Sequence, residues 1–152
     1  MKLSRLLLFP ALLLSVTIHA QDRYYQTRSL EGIKSVDVAA WPINDNLKDS
    51  TVAEMSRARL KAKGLPVVFS GGEASLAITI LPSFDQRLKV WLVVVRLELK
   101  QRGILRRTGE SHAATTWERT GCVSDSQDLM EARKMLGQFL DEFAEDFRRA
   151  NP

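Results

Sequence analysis

Three side chains in the second half of the chain are of types that carry hydrolytic chemistry: Ser111, His112 and Cys122. Histidine is the most frequent general base in enzymes. Neighbouring residues on a strand point to opposite faces, so Ser111 cannot meet His112 through its side chain. No Gly-x-Ser-x-Gly motif is present to hold another serine as a nucleophile. We therefore predict an ordinary strand histidine and no catalytic residue. A small hydrolase that uses His112 with Cys122 or a serine is the alternative.

A cluster of cations is the feature of this sequence best suited to binding. Lys100, Arg102, Arg106 and Arg107 lie within eight residues that contain no acidic side chain. At the tip of a hairpin they would attract a phosphate, an acidic lipid head group or an acidic protein patch. A solvated loop that only aids solubility is the alternative. No aromatic residue lies between positions 100 and 107 to stack on bases, so we do not expect nucleic acid as a partner.

Metal and cofactor motifs are not found in the sequence. The mature chain would have one histidine and one cysteine, without the paired short spacings of zinc sites. Asp125, Asp128 and Glu131 stand where a helix begins, and the helix dipole stabilises negative charge there. Gly71-Gly72 lacks the Lys-Ser/Thr ending of a phosphate loop, and we interpret it as a hairpin turn. The sequence therefore predicts no metal and no cofactor.

The first twenty residues have the layout of a secretory signal peptide. Lys2 and Arg5 precede the apolar run of residues 6–14, and Ala20 precedes a polar stretch. The run is shorter than the ~20 residues that cross a bilayer. We expect cleavage after Ala20, export to the periplasm or the medium, and no transmembrane span thereafter. The bulky Ile18 leaves an uncleaved, tethered form as the alternative.

Cleavage would leave 132 residues with 20 basic and 18 acidic side chains, a balance too even to indicate nucleic-acid binding. Cys122 is the only cysteine, so no intramolecular disulfide can form. A chain of this length buries about two-thirds of its unfolded surface, which suffices without disulfides or metal. We expect Cys122 to be buried or half-buried.

Periodicity predicts one helix in the first half of the domain. Residues 21–30 show no clear period and are interpreted as a leader strand or a loose arm, and residues 33–41 as the first strand. A capping box at Thr51-Val52-Ala53-Glu54 opens the helix, and Gly64-Leu65-Pro66 closes it.

Strands and a second helix fill the rest of the chain. Strand patterns cover residues 66–70, 75–80, 88–101 and 111–117, and the last two form an extended hairpin. Ser124 and Gln127 offer a capping box for the final helix. Its apolar stripe recurs at three and four residues: Leu129, Ala132, Leu136, Leu140, Phe143 and Phe147.

These elements predict an α+β fold in the order β-α-β-β-β-β-α. Consecutive strands between two helices favour an antiparallel or mixed sheet of about five strands with both helices on one face. We divide the chain into a signal peptide (1–20), an amino-terminal arm (21–30) and a single α+β domain (31–152). Edge pairing of the 66–70 strand between two copies is a further alternative, which would give a homodimer.

Four short segments resemble those of uncharacterised exported bacterial α+β proteins. They are Leu30-Glu31-Gly32-Ile33, Lys63-Gly64-Leu65-Pro66, Ala114-Thr115-Thr116-Trp117 and the terminal Asn151-Pro152. The order of elements is also similar to the amino-terminal domain of the Tol translocation protein and to the lipopolysaccharide-assembly lipoprotein. This chain lacks the cysteine of a lipoprotein after the cleavage site.

The sequence thus predicts a non-enzymatic exported binding or interaction module of the bacterial envelope. Its partner is expected to be an envelope protein or an anionic envelope ligand. The contact residues would be the four cations of the 100–107 loop.

Overall fold

The fold is a sheet whose one face packs against two helices around a single core. The computed structural model describes residues 24–42, 49–125 and 129–152, so the predicted signal peptide lies outside the described residues. The elements follow in the order α1 (residues 24–28), β1 (Val36–Pro42), α2 (Asp49–Ala62), β2 (Ala74–Asp85), β3 (Val90–Ile104), β4 (Ser111–Asp125) and α3 (Met130–Ala150). The predicted α+β class is confirmed.

The sheet is mixed, with the strand order β1-β2-β3-β4. β1 and β2 run parallel, whereas β2, β3 and β4 are antiparallel neighbours. Two parallel strands need a crossover, and α2 lies within it. Gly72, two residues before β2, lies close against β1, since a Cβ at this residue would lie 2.5 Å from the backbone nitrogen of Asp37. Gly71-Gly72 therefore belongs to a parallel crossover, and the hairpin turn predicted there is wrong.

The segment from Pro66 to Ser70 is not the predicted strand. The described residues form four strands where about five were predicted. The segment touches β1 through one isolated parallel bridge between Val36 and Val67. Pro66 has no amide hydrogen for a ladder, and Gly71 turns the chain away at a φ of +72°. The homodimer considered above requires edge pairing of a strand at residues 66–70. The described structure has no such strand there.

α2 begins two residues before Thr51, where the capping box predicted its start, but it ends as predicted. Gly64 adopts a φ of +83°, and the amide of Leu65 donates to the carbonyl of Leu60 at 3.1 Å. This is the six-residue hydrogen bond of a Schellman cap, and both leucines are buried. The cap directs the chain back toward the sheet.

α3 lies against β3 and β4 with the apolar stripe that its sequence predicts. All members of the stripe are buried: Leu129, Ala132, Leu136, Leu140, Phe143 and Phe147. Gly121 in β4 allows the close approach, because a Cβ there would lie 2.6 Å from the sulfur of Met135. The capping box predicted at Ser124 and Gln127 is wrong, because Ser124 lies in β4 opposite Leu92 and α3 begins only at Met130. Gln127 itself lies outside the described residues.

A buried carboxylate joins α3 to β4. Among the described residues, Asp146 is the charged side chain that is fully buried. Its Oδ2 accepts a hydrogen bond from Nε1 of the buried Trp117 at 3.1 Å and lies 3.4 Å from Nη2 of Arg119. The Arg119 guanidinium also lies 4.7 Å from the centre of the Trp117 indole ring. A buried charge is tolerated only with such partners, so this contact sets how α3 sits on the sheet.

The segment of residues 24–32 packs onto the domain. Residues 24–28 are helical, where a leader strand or a loose arm was predicted, and Leu30 is fully buried. Asn151 binds this segment twice: its Nδ2 donates to the Leu30 carbonyl at 2.9 Å, and its Oδ1 accepts from the Gly32 amide at 2.9 Å. The two ends of the described chain are thus hydrogen-bonded to each other.

An ion pair between α2 and α3 predicts sensitivity to acid. Arg59 donates two hydrogen bonds of 2.9 Å to the Asp141 carboxylate, and these bonds hold the pKa of Asp141 below its ordinary value. A lowered folded-state pKa contributes stability above the unfolded pKa of about 4 and loses it as pH falls through the folded pKa. Both side chains are nearly half exposed, so the contribution is small and screened by salt.

We expect the free energy of unfolding to fall less between pH 7 and pH 3 in Asp141→Asn than in the unaltered protein. Urea titrations at the two pH values measure this difference. Glu54→Gln is the control, because the Glu54 side chain is exposed and makes no hydrogen bond or ion pair within the described chain. Equal losses in the unaltered protein and Asp141→Asn would contradict the assignment.

Candidate functional site

The candidate site is the end of the β3–β4 hairpin, which projects beyond the rest of the sheet. β2 pairs with β3 only as far as Gln101, whereas β3 and β4 remain paired to Ile104 and Ser111. The last three paired residues of each strand therefore extend about 10 Å past β2 before the chain turns. We call residues 102–113 the hairpin tip.

The turn of the hairpin tip is closed by backbone hydrogen bonds. The Leu105 amide donates to the Glu110 carbonyl at 3.0 Å. The Leu105 carbonyl accepts from the Gly109 amide at 2.8 Å and from the Thr108 amide at 3.3 Å. Gly109 has a φ of +72°, a backbone conformation that residues other than glycine rarely adopt. The tip is thus an ordered turn.

A bulge at the base of the hairpin is hydrogen-bonded to Ser29, in the segment that precedes β1. Leu99 faces Trp117 and Lys100 faces Thr115, so Thr116 is the extra residue in β4. The Thr116 carbonyl accepts a hydrogen bond from the Ser29 hydroxyl at 2.8 Å. These contacts hold the hairpin at the point where it leaves the sheet.

Three of the four predicted cations lie on the hairpin tip. Arg102, Arg106 and Arg107 are exposed, and within the described chain none has a hydrogen bond or ion pair from its guanidinium. Glu110 is the one acidic residue of the tip, so the tip carries an excess of positive charge. The carboxylate of Glu110 lies 3.5 Å from Nε2 of His112.

Lys100, the fourth predicted cation, lies at the base of the hairpin tip and lines the same surface pocket as Arg102. It belongs to the paired part of β3, opposite Ser75 and Thr115. Its Nζ lies 4.0 Å from the carboxylate of Glu98, whose side chain is 18% exposed. The structure therefore places Lys100 next to the tip, where Glu98 partly offsets its charge.

Two apolar residues of the hairpin tip were not recognised in the sequence. Ile104 is 71% exposed and Leu105 is 50% exposed, between Arg102 on one side and Arg106 and Arg107 on the other. The sequence does show an adjacent aliphatic pair inside a cationic loop. Its exposure follows from the projection of the hairpin, since no element among the described residues covers it.

The residues of the alternative hydrolase are not brought together. His112 and Cys122 both belong to β4, where ten residues span about 33 Å. Cys122 is exposed, so the buried or half-buried position predicted for it is wrong. Its strand faces solvent at this residue because α2 and α3 cover only the opposite face. His112 is exposed on the tip as an ordinary strand residue, and in the described part of the chain no serine donates to it.

A small apolar cleft lies between α2 and α3, away from the hairpin tip. It has a volume of about 110 Å³ and is lined by residues that include Val52, Ser56, Ile80 and Leu136. Ser56 is 1% exposed, and its hydroxyl has no hydrogen-bond partner in the described structure. The cleft therefore contains a buried polar atom that the protein itself does not satisfy.

We expect Ser56→Ala to stabilise the protein by about 1 kcal/mol, because it removes an unsatisfied buried hydroxyl and raises helix propensity. Thermal and urea unfolding measure the change. Ser50→Ala near the start of α2 is the control for propensity, since Ser50 is exposed. A destabilised Ser56→Ala variant would show that the hydroxyl is bonded in solution.

The described residues contain neither a metal-binding cluster nor a membrane-spanning helix. No three histidine, cysteine, aspartate or glutamate side chains among them are grouped so that they could hold a metal ion. None of the helices in the described ranges combines the length and the apolar character needed to cross a bilayer.

Comparisons with known proteins identify structural likenesses only. No protein-family model matches the chain, and no curated protein matches it either. Among solved structures, a PelC dodecamer from Paraburkholderia phytofirmans is 17% identical, covering 72% of this chain and 86% of that one at a TM-score of 0.46. A minor lipoprotein from Acinetobacter baumannii is 14% identical, covering 78% and 90% at a TM-score of 0.35.

An uncharacterised protein is a third such likeness, 12% identical over 76% of this chain and 90% of that chain at a TM-score of 0.38. The structural neighbours therefore include a lipoprotein and a protein without an assigned function. These scores indicate distant likenesses. The resemblance to the Tol translocation protein and the lipopolysaccharide-assembly lipoprotein stays a prediction.

Proposed function

We propose that this protein is a non-enzymatic, exported binding module of the bacterial envelope that contacts an anionic partner through the hairpin tip. One observation carries the proposal: Arg102, Arg106 and Arg107 project on an ordered turn, exposed and without ion pairs in the described chain. Cations that only increase solubility would need neither an ordered turn nor positions close to one another. The amino-terminal leader supports export to the periplasm or the medium.

The arginine side chains suit an anionic partner. A guanidinium presents several donors in a planar fork that matches the oxygen atoms of carboxylates and phosphates. Within the tip, Glu110 offers the one competing carboxylate, and it lies beside His112. The field of the three arginines therefore extends into solvent, where it attracts an anion over a distance of about 8–10 Å at physiological salt.

The geometry around His112 supports a binding role over a hydrolytic one. A general base must lie within about 3 Å of the group that it deprotonates. His112 lies beside Glu110, and Cys122 is far along the same strand. A nucleic acid is a poor fit for the tip, because residues 102–113 contain no phenylalanine, tyrosine or tryptophan for base stacking.

Cross-linking in the native envelope tests the proposed function. In the cation variant, glutamine replaces the three arginines of the tip: Arg102→Gln, Arg106→Gln and Arg107→Gln. Surface substitutions of this kind change stability little, so we expect a melting temperature within a few degrees of the unaltered protein. We expect the yield of cross-linked partner to fall at least tenfold, because each arginine lost removes about 1 kcal/mol of attraction to an anionic surface.

Arg87→Gln with Lys89→Gln is the control for the cation variant. It also replaces exposed cations beside a turn, but at the opposite end of β3 from the tip. We expect this control to change the cross-linking yield less than twofold. Equal yields from the unaltered protein and the cation variant would overturn the role of the tip.

A further inference from the structure

Two side chains of the hairpin tip have no role in an interaction that uses charge alone. Ile104 and Leu105 are exposed although they are aliphatic. They are the last residue of β3 and the first residue of the turn, directly before Arg106 and Arg107. Aliphatic side chains beside cations match a lipid interface, where apolar groups enter the acyl boundary and cations stay with the head groups.

We infer that the anionic partner of the hairpin tip is the surface of an anionic lipid bilayer, into which Ile104 and Leu105 insert while the three arginines bind head groups. This inference rests on the proposed function, because it names the partner of the same tip. It adds an apolar part to the contact that the cations alone do not require.

The backbone of Leu105 is hydrogen-bonded in a way that suits insertion into a bilayer. Polar backbone groups that enter the apolar part of a bilayer must be hydrogen-bonded within the protein. The Leu105 amide donates to the Glu110 carbonyl, and the Leu105 carbonyl accepts from Gly109. Both polar groups of this residue are thus satisfied internally. The ordered turn also reduces the loss of conformational entropy on binding.

The size of the tip favours a bilayer over a folded protein as the partner. A stable protein interface uses roughly 20–30 residues on each side. The hairpin tip comprises residues 102–113, of which Ile104 and Leu105 are the large apolar side chains exposed. A bilayer demands no matching shape, so a narrow tip with a few cations and an aliphatic pair suffices.

The hairpin at the other end of β3 offers a natural comparison. It exposes Leu88 at 61%, between Arg87 and Lys89. The carboxylate of Asp85 lies inside this turn and accepts hydrogen bonds of 2.8 Å from the Arg87 and Leu88 amides. β4 pairs with β3 as far as Trp91 and Asp125, one residue from the start of β3, so this hairpin does not project as a separate ribbon. We call it the opposite hairpin.

Sedimentation with lipid vesicles tests the inference. The protein in the form recovered after export is mixed with vesicles of equal parts phosphatidylglycerol and phosphatidylcholine, or of phosphatidylcholine alone. We expect at least tenfold stronger binding to the anionic vesicles, and we expect this preference to fall at high salt. Equal binding to both vesicles would overturn the inference.

Two variants separate the apolar and the cationic parts. The apolar variant, Ile104→Ser with Leu105→Ser, should bind anionic vesicles at least tenfold more weakly because it loses the inserted surface. The cation variant should also lose at least tenfold, together with the salt dependence. An apolar variant that binds as well as the unaltered protein would show that the aliphatic pair does not insert.

The opposite hairpin provides the matched control, Arg87→Gln with Leu88→Ser, which removes one cation and one exposed leucine. We expect this control to change binding less than twofold, and a loss equal to that of the apolar variant would overturn the assignment to the tip. In a Leu105→Trp variant, brominated lipids should quench the added fluorescence. Absence of quenching on anionic vesicles would also contradict insertion.

The outcomes distinguish this inference from the proposed function. Suppose that the unaltered protein does not bind anionic vesicles, but that the cation variant loses a protein that cross-links to the unaltered protein in the envelope. The lipid inference then fails and the proposed function stands. If neither vesicle binding nor cross-linking depends on the tip, both fail.

Discussion

Replacement of Trp117 by alanine is expected to lower the free energy of unfolding by about 3–5 kcal/mol, the range for loss of a large aromatic side chain from a core. The Trp117 side chain is fully buried, and its ring centre lies 5.0 Å from that of Phe143 in an edge-to-face arrangement. Urea unfolding followed by circular dichroism measures the loss. A change below 1 kcal/mol would show that α3 does not pack on β4 as described.

Trp117→Phe separates the packing of the ring from its hydrogen bond. Phenylalanine keeps an aromatic ring against Phe143 but cannot donate to Asp146, so we expect a loss of about 1–3 kcal/mol. Trp117 also faces Leu99 next to the bulge at the base of the hairpin. The alanine variant should therefore raise the rate of amide hydrogen exchange in the hairpin tip as well as in the core.

Asp146→Ala is expected to cost about 3 kcal/mol, because it leaves the buried Nε1 of Trp117 without an acceptor and removes a charge that faces Arg119. Arg119 retains Glu142, whose carboxylate it binds at 2.8 Å, so its own charge stays compensated. Thermal and urea unfolding measure the change. A neutral result would mean that water reaches the Trp117 indole in solution.

Asp146→Asn provides the matched control, since the amide oxygen can still accept from Trp117 while the negative charge is lost. We expect Asp146→Asn to lower the free energy of unfolding by about half as much as Asp146→Ala does. A double-mutant cycle with Trp117→Phe and Asp146→Ala then isolates the hydrogen bond between the two side chains. A coupling energy near zero would contradict the contact between α3 and β4.

Local patterns in the sequence predicted the two long helices and the long hairpin, but not the short helix at residues 24–28. The apolar stripe of α3 follows helical spacing, and the Gly64-Leu65-Pro66 stop ends α2 through a backbone conformation that glycine adopts at little cost. The segment from Pro66 was misjudged, because a short β-rich pattern does not reveal whether a pairing partner exists beyond one bridge.

The functional residues were predictable only in part. The basic loop at residues 100–107 is visible in the sequence, and three of its cations do lie on the hairpin tip. The position of Lys100 at the base of the tip depends on where β2 stops pairing with β3, and its contact with Glu98 depends on the register. The exposure of Cys122 depends on which face of the sheet the helices cover. Contacts between residues far apart in the sequence determine that face.

The sequence by itself determined the α+β class, the two main helices and a basic hairpin, because hydrophobic period, capping residues and turn residues act over a few neighbouring positions. The tertiary structure alone decided the parallel pairing of β1 with β2, the burial of Asp146 beneath Trp117 and the exposure of Ile104 and Leu105. Each of these depends on the packing of residues far apart in the chain, and no local pattern specifies how such segments meet.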